Sequence, residues 1–443
     1  MIRSRLSGWG LTPACLTFTE VVSDVTLLKS RAMTNSVIPR GLGRGYGDCA
    51  INGFGITAVT TELQKFVLDG SVLITEAGAS IGEILQHIVP RGYFVPVTPG
   101  TKFVTIGGAI AADVHGKNHH KDGSFSNFVK ELDLLIADGT IRKVSPSIDP
   151  NLFWATIGGM GLTGVILSAK IQLIPIETSK ISVRNIICSN IEVLMDEMIR
   201  VDEFAKYSVA WVDTLAGGKH LGRSILSVGD HANEKDGNKR KGKNSLEYSS
   251  KQLVTFPDFV VSGLLNRFTV RLFNGLWFRM AALSKKKKIV SLDSFFYPLD
   301  VIGNWNGMYG ADGFIQYQVC IPDSSSHLVR LILEKFSESR IPSFLSVLKR
   351  FGSEGKGMLS FPSKGWTLAV DIPAGVEGLG ELLDFLDKKV IDAGGRIYLA
   401  KDSRMNPYFV EHMYPRLNEF RKVKQEIDPK NLYQSNMSRR LGL

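Results

Sequence analysis

One segment of the chain carries more information about the fold than any other: Pro99-Gly-Thr-Lys-Phe-Val-Thr-Ile-Gly-Gly-Ala-Ile-Ala-Ala-Asp-Val-His-Gly-Lys-Asn-His-His120. A strand-like run is interrupted by Gly107 and Gly108, continues in small residues, and ends in a cluster of His, Lys and Asn. Because glycine has no Cβ, such a backbone can approach a bulky ligand closely. The polar cluster supplies charge and hydrogen bonds at one edge. The pattern favours the binding of a flat cofactor over the filling of a core.

Two other interpretations of this segment stay open. It also fits a glycine-rich bend that carries a basic surface cluster. His115, His119 and His120 could instead ligate a metal, but adjacent histidines point in different directions, and the nearby acids are Asp113 and Asp122. We therefore expect no metal site.

A second glycine-rich motif precedes it: Pro39-Arg-Gly-Leu-Gly-Arg-Gly-Tyr-Gly-Asp48. Successive backbone N–H groups in such a loop can form an anion-binding nest, and its two arginines add positive charge. The spacing has neither the Lys-Ser/Thr of a Walker loop nor the G-x-G-x-x-G of a nicotinamide site. The motif indicates a pyrophosphate-binding loop, with a tight surface turn as the alternative.

The third motif is Phe153-Trp-Ala-Thr-Ile-Gly-Gly-Met-Gly-Leu-Thr-Gly-Val-Ile166. Its glycine density again suggests backbone that lies against a ligand. By itself it also fits an ordinary turn between a helix and a strand.

Composition restricts the class of protein. A chain of 443 residues can form two or three domains, and its net charge of +10 suits an anionic partner. The four cysteines show no CxxC spacing, which argues against zinc and redox motifs and favours a reducing compartment. The N-terminus lacks the apolar region of a signal peptide, and no apolar run of about 18 residues exists. We therefore expect a cytoplasmic protein that could bind peripherally at the inner face of the membrane.

The apolar pattern predicts several elements. Residues 72–78 read as a strand, 81–89 as a helix, and 132–144 as a hairpin with an Asp138-Gly139 turn. Residues 316–371 predict strand–helix–strand order, and 379–390 an amphipathic helix. The polar stretch 230–251 predicts a mobile loop.

Together the three motifs resemble the PCMH-type FAD-binding domain of the vanillyl-alcohol-oxidase family in their order and separation. Within that family the chain is similar to the oxidase subunits of polyprenylphosphoryl-ribose 2′-epimerases. The most specific matching segments are His115-Gly-Lys-Asn-His-His120 and Tyr398-Leu-Ala-Lys-Asp-Ser-Arg404. Two further segments, Gly313–Gln318 and Leu348–Gly352, match as well. This resemblance runs along nearly the whole chain.

The resemblance implies an α+β fold with a two-subdomain PCMH-type FAD-binding domain in residues 1–177. A substrate domain, residues 178–395, would be inserted after it and built on an antiparallel sheet with flanking helices. Residues 396–443 would return to the FAD domain.

The resemblance also implies a non-covalent FAD. The loop from Arg40 to Asp48 would bind its pyrophosphate, and the other motifs would line the ADP and isoalloxazine portions. The implied cofactor-binding residues are Arg40, Gly41, Leu42, Gly43, Arg44, Gly45, Tyr46, Gly47, Asp48, Gly100, Thr105, Ile106, Gly107, Gly108, Ala112, Asp113, Val114, His115, Val165, Ile166 and Tyr398.

Lys401 is the main catalytic candidate, because a fixed cation stabilises negative charge that develops on a flavin accepting hydride. A solvated loop lysine is the alternative. His115 or Tyr46 would accept the proton of the oxidised hydroxyl. The implied substrate-binding residues, whose amides orient hydroxyls and whose lysines meet a phosphate, are Lys117, Gln316, Gln318, Lys349 and Lys401.

Residues 256–288 interleave aromatics and leucines with Arg267, Arg271 and Arg279, and end in four lysines. This composition is typical of a segment that meets anionic lipid. A core helix and strand followed by a solvated basic turn would have the same composition.

The expected activity is that of an oxidoreductase acting on CH–OH groups. It would oxidise the 2′-hydroxyl of a polyprenylphosphoryl-β-D-ribose to the 2-keto sugar, the first half of an epimerisation to the arabinose form. A separate NAD(P)H-dependent short-chain reductase would complete the epimerisation, and no nucleic acid partner is expected. The alternatives are an FAD-dependent oxidase of a soluble alditol or aldonolactone, and a non-catalytic basic membrane- or nucleic-acid-binding protein.

Overall fold

Helices and largely antiparallel sheets alternate along the chain, which confirms the α+β class. The computed structural model describes residues 1–236, 245–250, 254–255, 266–283 and 287–443. None of the helices in those ranges is long and apolar enough to cross a membrane.

A four-stranded sheet at the N-terminus delivers the glycine-rich loop. Its last two strands run parallel, and helix α1 (Val25–Thr34) connects the second strand to the third while burying Leu28 and Ala32. The loop begins where the third strand ends, at Arg40. The sheet has the order β1-β2-β4-β3 and consists of β1 (Ile2–Ser7), β2 (Ala14–Val21), β3 (Val37–Arg40) and β4 (Ile56–Val59).

A five-stranded antiparallel sheet follows, and it contains the predicted strand at residue 72 and the predicted hairpin. Gly139, in the hairpin turn, has a φ of +83°, the left-handed conformation that glycine adopts at little cost. The sheet has the order β5-β6-β10-β8-β9, and its strands are β5 (Phe66–Asp69), β6 (Val72–Glu76), β8 (Val129–Leu135), β9 (Ile141–Val144) and β10 (Val165–Gln172).

Four helices belong to this part of the chain, of which α3 and α5 pack on this sheet and α4 packs on the eight-stranded sheet described below. The predicted helix α2 begins at a capping box of Ser80 and Glu83 and buries its apolar face. A short strand pair, β7 (Tyr93–Phe94) with β11 (Ile174–Pro175), lies beside it. The helices are α2 (Ile81–Ile88), α3 (Ile106–Ala111), α4 (His119–Asp122) and α5 (Pro150–Thr156).

The expectation of a strand-like run ahead of Gly107 and Gly108 is wrong, because residues 99–105 contain no strand and both glycines lie in helix α3. Thr105 starts the helix: its side chain accepts a hydrogen bond from the Gly108 backbone N–H at 3.2 Å. A Cβ on Gly107 would lie 2.9 Å from the Cβ of Ala77. Protein packing therefore requires a small residue at this position.

An eight-stranded antiparallel sheet forms the second half of the molecule. Helices α6 (Ile191–Asp202), α9 (His327–Glu338) and α10 (Leu379–Asp392) pack on one face and leave the other face toward a large cavity. The order is β16-β12-β14-β13-β19-β20-β18-β21, and the strands are β12 (Lys180–Cys188), β13 (Tyr207–Val212), β14 (Ser224–His231), β16 (Lys287–Ser291), β18 (Phe314–Pro322), β19 (Ser346–Phe351), β20 (Gly365–Pro373) and β21 (Arg396–Ile397).

The remaining elements of the described ranges are five helices, of which α7 has 17 residues, and a parallel strand pair, β15 with β17. These elements are α7 (Arg267–Leu283), α8 (Leu292–Phe296), β15 (Val254–Thr255), β17 (Ile302–Gly303), α11 (Val410–Met413), α12 (Leu417–Ile427) and α13 (Asn436–Leu441).

The predicted mobile loop 230–251 lies partly outside the described residues, at 237–244 and 251. Its described ends are packed against the fold. Asp230 and His231 end strand β14, and the Tyr248 hydroxyl donates to Asp293 at 2.6 Å.

The C-terminal tail returns to the N-terminal sheets. The Val37 backbone N–H donates to the carbonyl of Leu432 at 2.8 Å, and the Tyr433 hydroxyl donates to the carbonyl of Leu135 at 3.0 Å. Arg440 pairs with Asp48 at 2.8 Å and with Asp402 at 2.9 Å. One guanidinium thus ties the end of the glycine-rich loop to the segment that carries Lys401. The bounds of the three segments that make up the two expected domains, 1–177, 178–395 and 396–443, stay a prediction.

We predict that Arg440→Ala lowers the free energy of unfolding by about 3 kcal/mol, because it leaves two buried carboxylates without their cation. Arg200→Ala is the matched control, since Arg200 pairs with Glu197 on an exposed helix surface. That change should cost about 0.5 kcal/mol or less. Urea unfolding of the two variants measures the difference, and equal losses would show that Arg440 has no special role.

Candidate active site

A cavity of about 1160 Å³ lies between the glycine-rich segments and the open face of the eight-stranded sheet. It collects most of the residues that the sequence predicts for cofactor and substrate. The predicted residues that line it are Gly41, Leu42, Gly43, Arg44, Gly45, Tyr46, Gly100, Thr105, Gly107, Gly108, Ala112, Val114, His115, Lys117, Ile166, Gln316, Gln318, Lys349, Tyr398 and Lys401.

The loop after β3 presents free backbone donors. Among the described residues, no protein acceptor takes a hydrogen bond from the backbone N–H groups of residues 41–45. The loop carbonyls are engaged instead: Trp9 N–H donates to the Gly45 carbonyl at 2.8 Å and Gly10 N–H to the Tyr46 carbonyl at 3.1 Å. This division leaves the donors to an anion in the cavity.

Glycine is required in this loop for two separate reasons. A Cβ on Gly41 would lie 2.2 Å from the Thr105 hydroxyl oxygen, so the loop and the start of α3 can meet only without a side chain. Gly43 has a φ of +64°, which disfavours other residues. The Arg44 guanidinium lies 4.0 Å from the centre of the Trp9 ring, which fixes its position at the cavity wall.

Six of the predicted cofactor residues do not line the cavity. They support the residues that do, through buried hydrogen bonds, ion pairs or apolar packing. Arg40 donates to the carbonyl of Ser7 at 2.7 Å, for example, and Asp113 accepts from the Ser360 hydroxyl at 2.6 Å. The six are Arg40, Gly47, Asp48, Ile106, Asp113 and Val165.

Strand alternation places the substrate-side residues on the cavity face of the large sheet. Gln316 and Gln318 are two residues apart on β18 and therefore point to the same side. Lys349 on β19 and Ala369 on β20 face the same space. The opposite residues of these strands pack on the helices, as Tyr317 does against Phe336 of α9.

His115 lies at the junction of the two halves. The Gln318 side-chain amide donates to its Nε2 at 3.0 Å, which leaves the ring proton on Nδ1. That Nδ1 is buried and has no hydrogen-bond partner among the described residues. Burial first, and Lys349 second, hold the His115 pKa well below 6.5, so the imidazole is neutral.

The other histidines of the segment serve the fold. His119 accepts from the Gly352 backbone N–H at 3.2 Å, and His120 contacts the Ala205 carbonyl at 3.0 Å through Nε2. Within the described ranges, no group of three or more His, Cys, Asp or Glu residues is arranged to hold a metal ion.

Three half-buried lysines, Lys117, Lys349 and Lys401, line the cavity. Desolvation lowers the pKa of Lys349 to about 8. Desolvation first, with charge repulsion from Lys349 in addition, lowers the pKa of Lys117 and of Lys401 to about 7. The Lys401 ammonium lies 3.5 Å from the centre of the Tyr46 ring. The cavity therefore concentrates positive charge that a bound anion would stabilise.

Asp371 is a functional candidate that the sequence interpretation missed. It is fully buried on β20, accepts a hydrogen bond from the Gln316 amide, and raises the pKa of Lys401. Burial in turn raises its own pKa to about 7. An acid inside the apolar strand Trp-Thr-Leu-Ala-Val-Asp-Ile was the available signal.

The residues present fit FAD. Free backbone donors and closely packed glycines lie at one end, and the unpaired His115 Nδ1–H and the Lys401 ammonium lie toward the sheet. The Tyr398 side chain is held between them, because its hydroxyl donates to the carbonyl of Ala112 at 2.8 Å and its ring stacks on Phe361. An extended nucleotide needs this order of contacts, from pyrophosphate to redox ring.

Comparison with known proteins agrees with this geometry. An FAD binding domain family model matches residues 20–145. The chain is 38% identical to the decaprenylphosphoryl-β-D-ribose oxidase of Mycolicibacterium smegmatis over 99% of this chain and 97% of that protein. It is 34% identical to an uncharacterized protein of Streptomyces coelicolor, over 82% of this chain and all of that protein.

More distant relatives match a smaller part. The human Delta(24)-sterol reductase is 28% identical over 28% of this chain and 23% of its own length. The identity with the mycobacterial oxidase extends across both walls of the cavity, from the glycine-rich loop to the strands that carry the glutamines and lysines. On that extent, the chain belongs to the family of the FAD-binding decaprenylphosphoryl-β-D-ribose oxidases.

Proposed function

We propose that this protein oxidises the 2′-hydroxyl of a polyprenylphosphoryl-β-D-ribose to the 2-keto sugar. The observation that carries the proposal is a single cavity in which free loop donors adjoin three half-buried lysines and two glutamines. A lipid-linked sugar phosphate offers the matching groups, which are a phosphate for the lysines and hydroxyls for the amides. Bound FAD supplies the acceptor for the hydride that leaves the sugar.

The cofactor would be held by the residues that line the cavity on the N-terminal side. Backbone N–H groups of residues 41–45 would bind the pyrophosphate, and Thr105, Gly108 and Ala112 would line the rest of the nucleotide. Tyr398 would contact the ring from the C-terminal segment.

The three cavity lysines would hold the substrate phosphate and would stabilise negative charge on the groups bound beside them. Desolvation makes each ammonium costly, and among the described residues Asp371 is the one carboxylate whose charge raises the pKa of Lys401. A phosphate that enters the cavity would supply the negative charge that the ammonium groups lack. Gln316 and Gln318 would then orient the sugar hydroxyls.

Of the two predicted proton acceptors, the electrostatics favour His115. Its imidazole is neutral, with a lone pair at Nε2 that a sugar hydroxyl would reach by displacing the Gln318 amide. Burial holds the pKa of Tyr46 well above 10, so its phenol keeps its proton and acts as a hydrogen-bond donor.

The product implies a second protein. A 2-keto sugar reaches the arabinose form only after reduction from the opposite face, and the sequence has no nicotinamide-binding motif. We propose a separate NAD(P)H-dependent short-chain reductase as the partner. We also propose that the oxidase works at the cytoplasmic face of a membrane, where a polyprenyl-linked sugar resides.

Substrate choice is tested by flavin bleaching without oxygen. We expect farnesylphosphoryl-β-D-ribose to abolish the absorbance of bound FAD at about 450 nm. Free alditols and aldonolactones should leave it unchanged, since they carry no phosphate for the lysines. Bleaching by the soluble sugars alone would support the alternative oxidase, and a chain that binds no flavin would support the non-catalytic alternative.

Lys401→Met should slow flavin reduction about a hundredfold, because it removes a fixed charge at the reacting centre. Lys364→Met is the control, since Lys364 is exposed on a different surface. Stopped-flow measurement with saturating substrate separates the two, and an unchanged rate in the Lys401 variant would contradict its assignment.

Asp371→Asn should shift the pH dependence of that rate. Burial lowers the Lys401 pKa to about 7, so the ammonium loses its proton as pH rises through neutrality and the rate falls on the alkaline side. Asp371 raises this pKa, so its neutralisation moves the alkaline limb down by about one pH unit. In Lys401→Arg the limb that belongs to residue 401 should disappear, because arginine keeps its proton. An unshifted limb in Asp371→Asn would exclude the coupling.

A further inference from the structure

Helix α7 turns an apolar side away from the protein. Surface helices normally bury their apolar face and expose a polar one. Here Val270 and Asn274 are buried, and Asn274 donates to Asp213 at 2.7 Å. The side chains that face outward are large and apolar. Leu272 and Leu276, for example, have exposed fractions of 65% and 51%. This outer face consists of Phe268, Leu272, Leu276, Met280 and Leu283.

The charge around the outer face has one sign. The helix contains Arg267, Arg271 and Arg279 and no acidic residue. Within the described part of the chain, none of these arginines forms an ion pair with a carboxylate. Lys287 and Lys288 follow at the start of β16, and both are exposed. Lys287 pairs with Asp236 at 3.7 Å, so the three arginines of the helix carry the argument. An apolar face bordered by these arginines complements a surface of anionic headgroups over acyl chains.

The other side of α7 belongs to the active cavity. Val270, Phe273 and Trp277 line it, and the last two rings lie parallel with their centres 6.3 Å apart. The helix is thus the wall between the cavity and the exterior. A lipid chain attached to a phosphate in the cavity would leave along this wall.

We propose that α7 docks the protein on an anionic lipid bilayer, with its outer face in the acyl boundary and its arginines at the lipid phosphates. The helix has 17 residues and is about 25 Å long, so it lies in the interface. The docking deepens the proposed function and rests on it, because a polyprenyl-linked substrate must pass from the bilayer into the cavity beside this wall.

A second copy of the chain fits this face less well. Two such faces would bring arginines of both copies together, and the whole chain carries a net charge of +10. Anionic lipid removes this repulsion and releases counterions, so we commit to the bilayer as the occupant.

Vesicle flotation of the FAD-loaded protein tests the docking. We expect binding to vesicles of phosphatidylcholine with phosphatidylglycerol, and little binding to phosphatidylcholine alone. Leu272→Glu/Leu276→Glu should lower the bound fraction roughly tenfold or more, because it places charge in the acyl boundary. Arg271→Gln/Arg279→Gln should weaken binding and its dependence on salt. Ile199→Glu/Phe385→Glu is the matched control on two other exposed helix positions and should bind like the parent protein.

The result that would overturn the docking is a parent protein that does not float with anionic vesicles, or a Leu272→Glu/Leu276→Glu variant that floats equally well. Dissociation of a solution dimer by that variant, without vesicle binding by the parent, would assign the face to a second copy and would also overturn it. Flavin reduction by farnesylphosphoryl-β-D-ribose, measured without vesicles, should be equal in the variant and the parent. Failure of that reduction in the parent would refute the proposed function, independently of the flotation result.

Discussion

The clustering of three half-buried lysines in one cavity is the constraint on which the rest of the site depends. Taking an ammonium out of water is costly, and Lys349 adds repulsion to both Lys117 and Lys401. The fold tolerates this cost with one buried carboxylate, Asp371, and with aromatic rings such as Tyr46 beneath the Lys401 ammonium. The positive charge that these contacts leave uncompensated favours the binding of an anion in the cavity.

A large antiparallel sheet is suited to meeting this constraint. Alternation puts Gln316 and Gln318 on the cavity side of a strand whose other side packs on helices. Cross-strand pairing then sets Asp371 directly opposite Gln316, and the amide joins them. Such positions are rigid because the whole sheet fixes them. The glycine-rich loop of the other half presents its backbone N–H groups to the cavity, while the sheet positions the Gln316 and Gln318 side chains there.

Apolar periodicity and turn residues predicted the hairpin and helix α2, because these are local signals. The α+β class and most of the predicted cavity residues came from the family resemblance, which the glycine-rich motifs carry. It failed where the deciding interaction is between distant segments. Position 107 needs a glycine partly because Ala77 packs against it. Asp48 forms its ion pair with Arg440, near the other end of the chain. Asp371 was missed because only strand pairing shows that it faces Gln316. Helix α7 kept two interpretations, since composition alone does not say which face turns outward.

Contacts between distant segments also join the glycine-rich loop to the segment that carries Lys401. Asp48 closes the glycine-rich loop, Asp402 follows Lys401, and Arg440 binds both carboxylates. The Tyr46 backbone N–H also donates to the carbonyl of Ala400 at 2.9 Å, directly before the lysine. A shift of the loop would therefore move residue 401, and loss of the lysine position would loosen the loop. Two independent links thus join these segments, the ion pairs of Arg440 and the backbone hydrogen bond, and they fix the position of Lys401 relative to the glycine-rich loop.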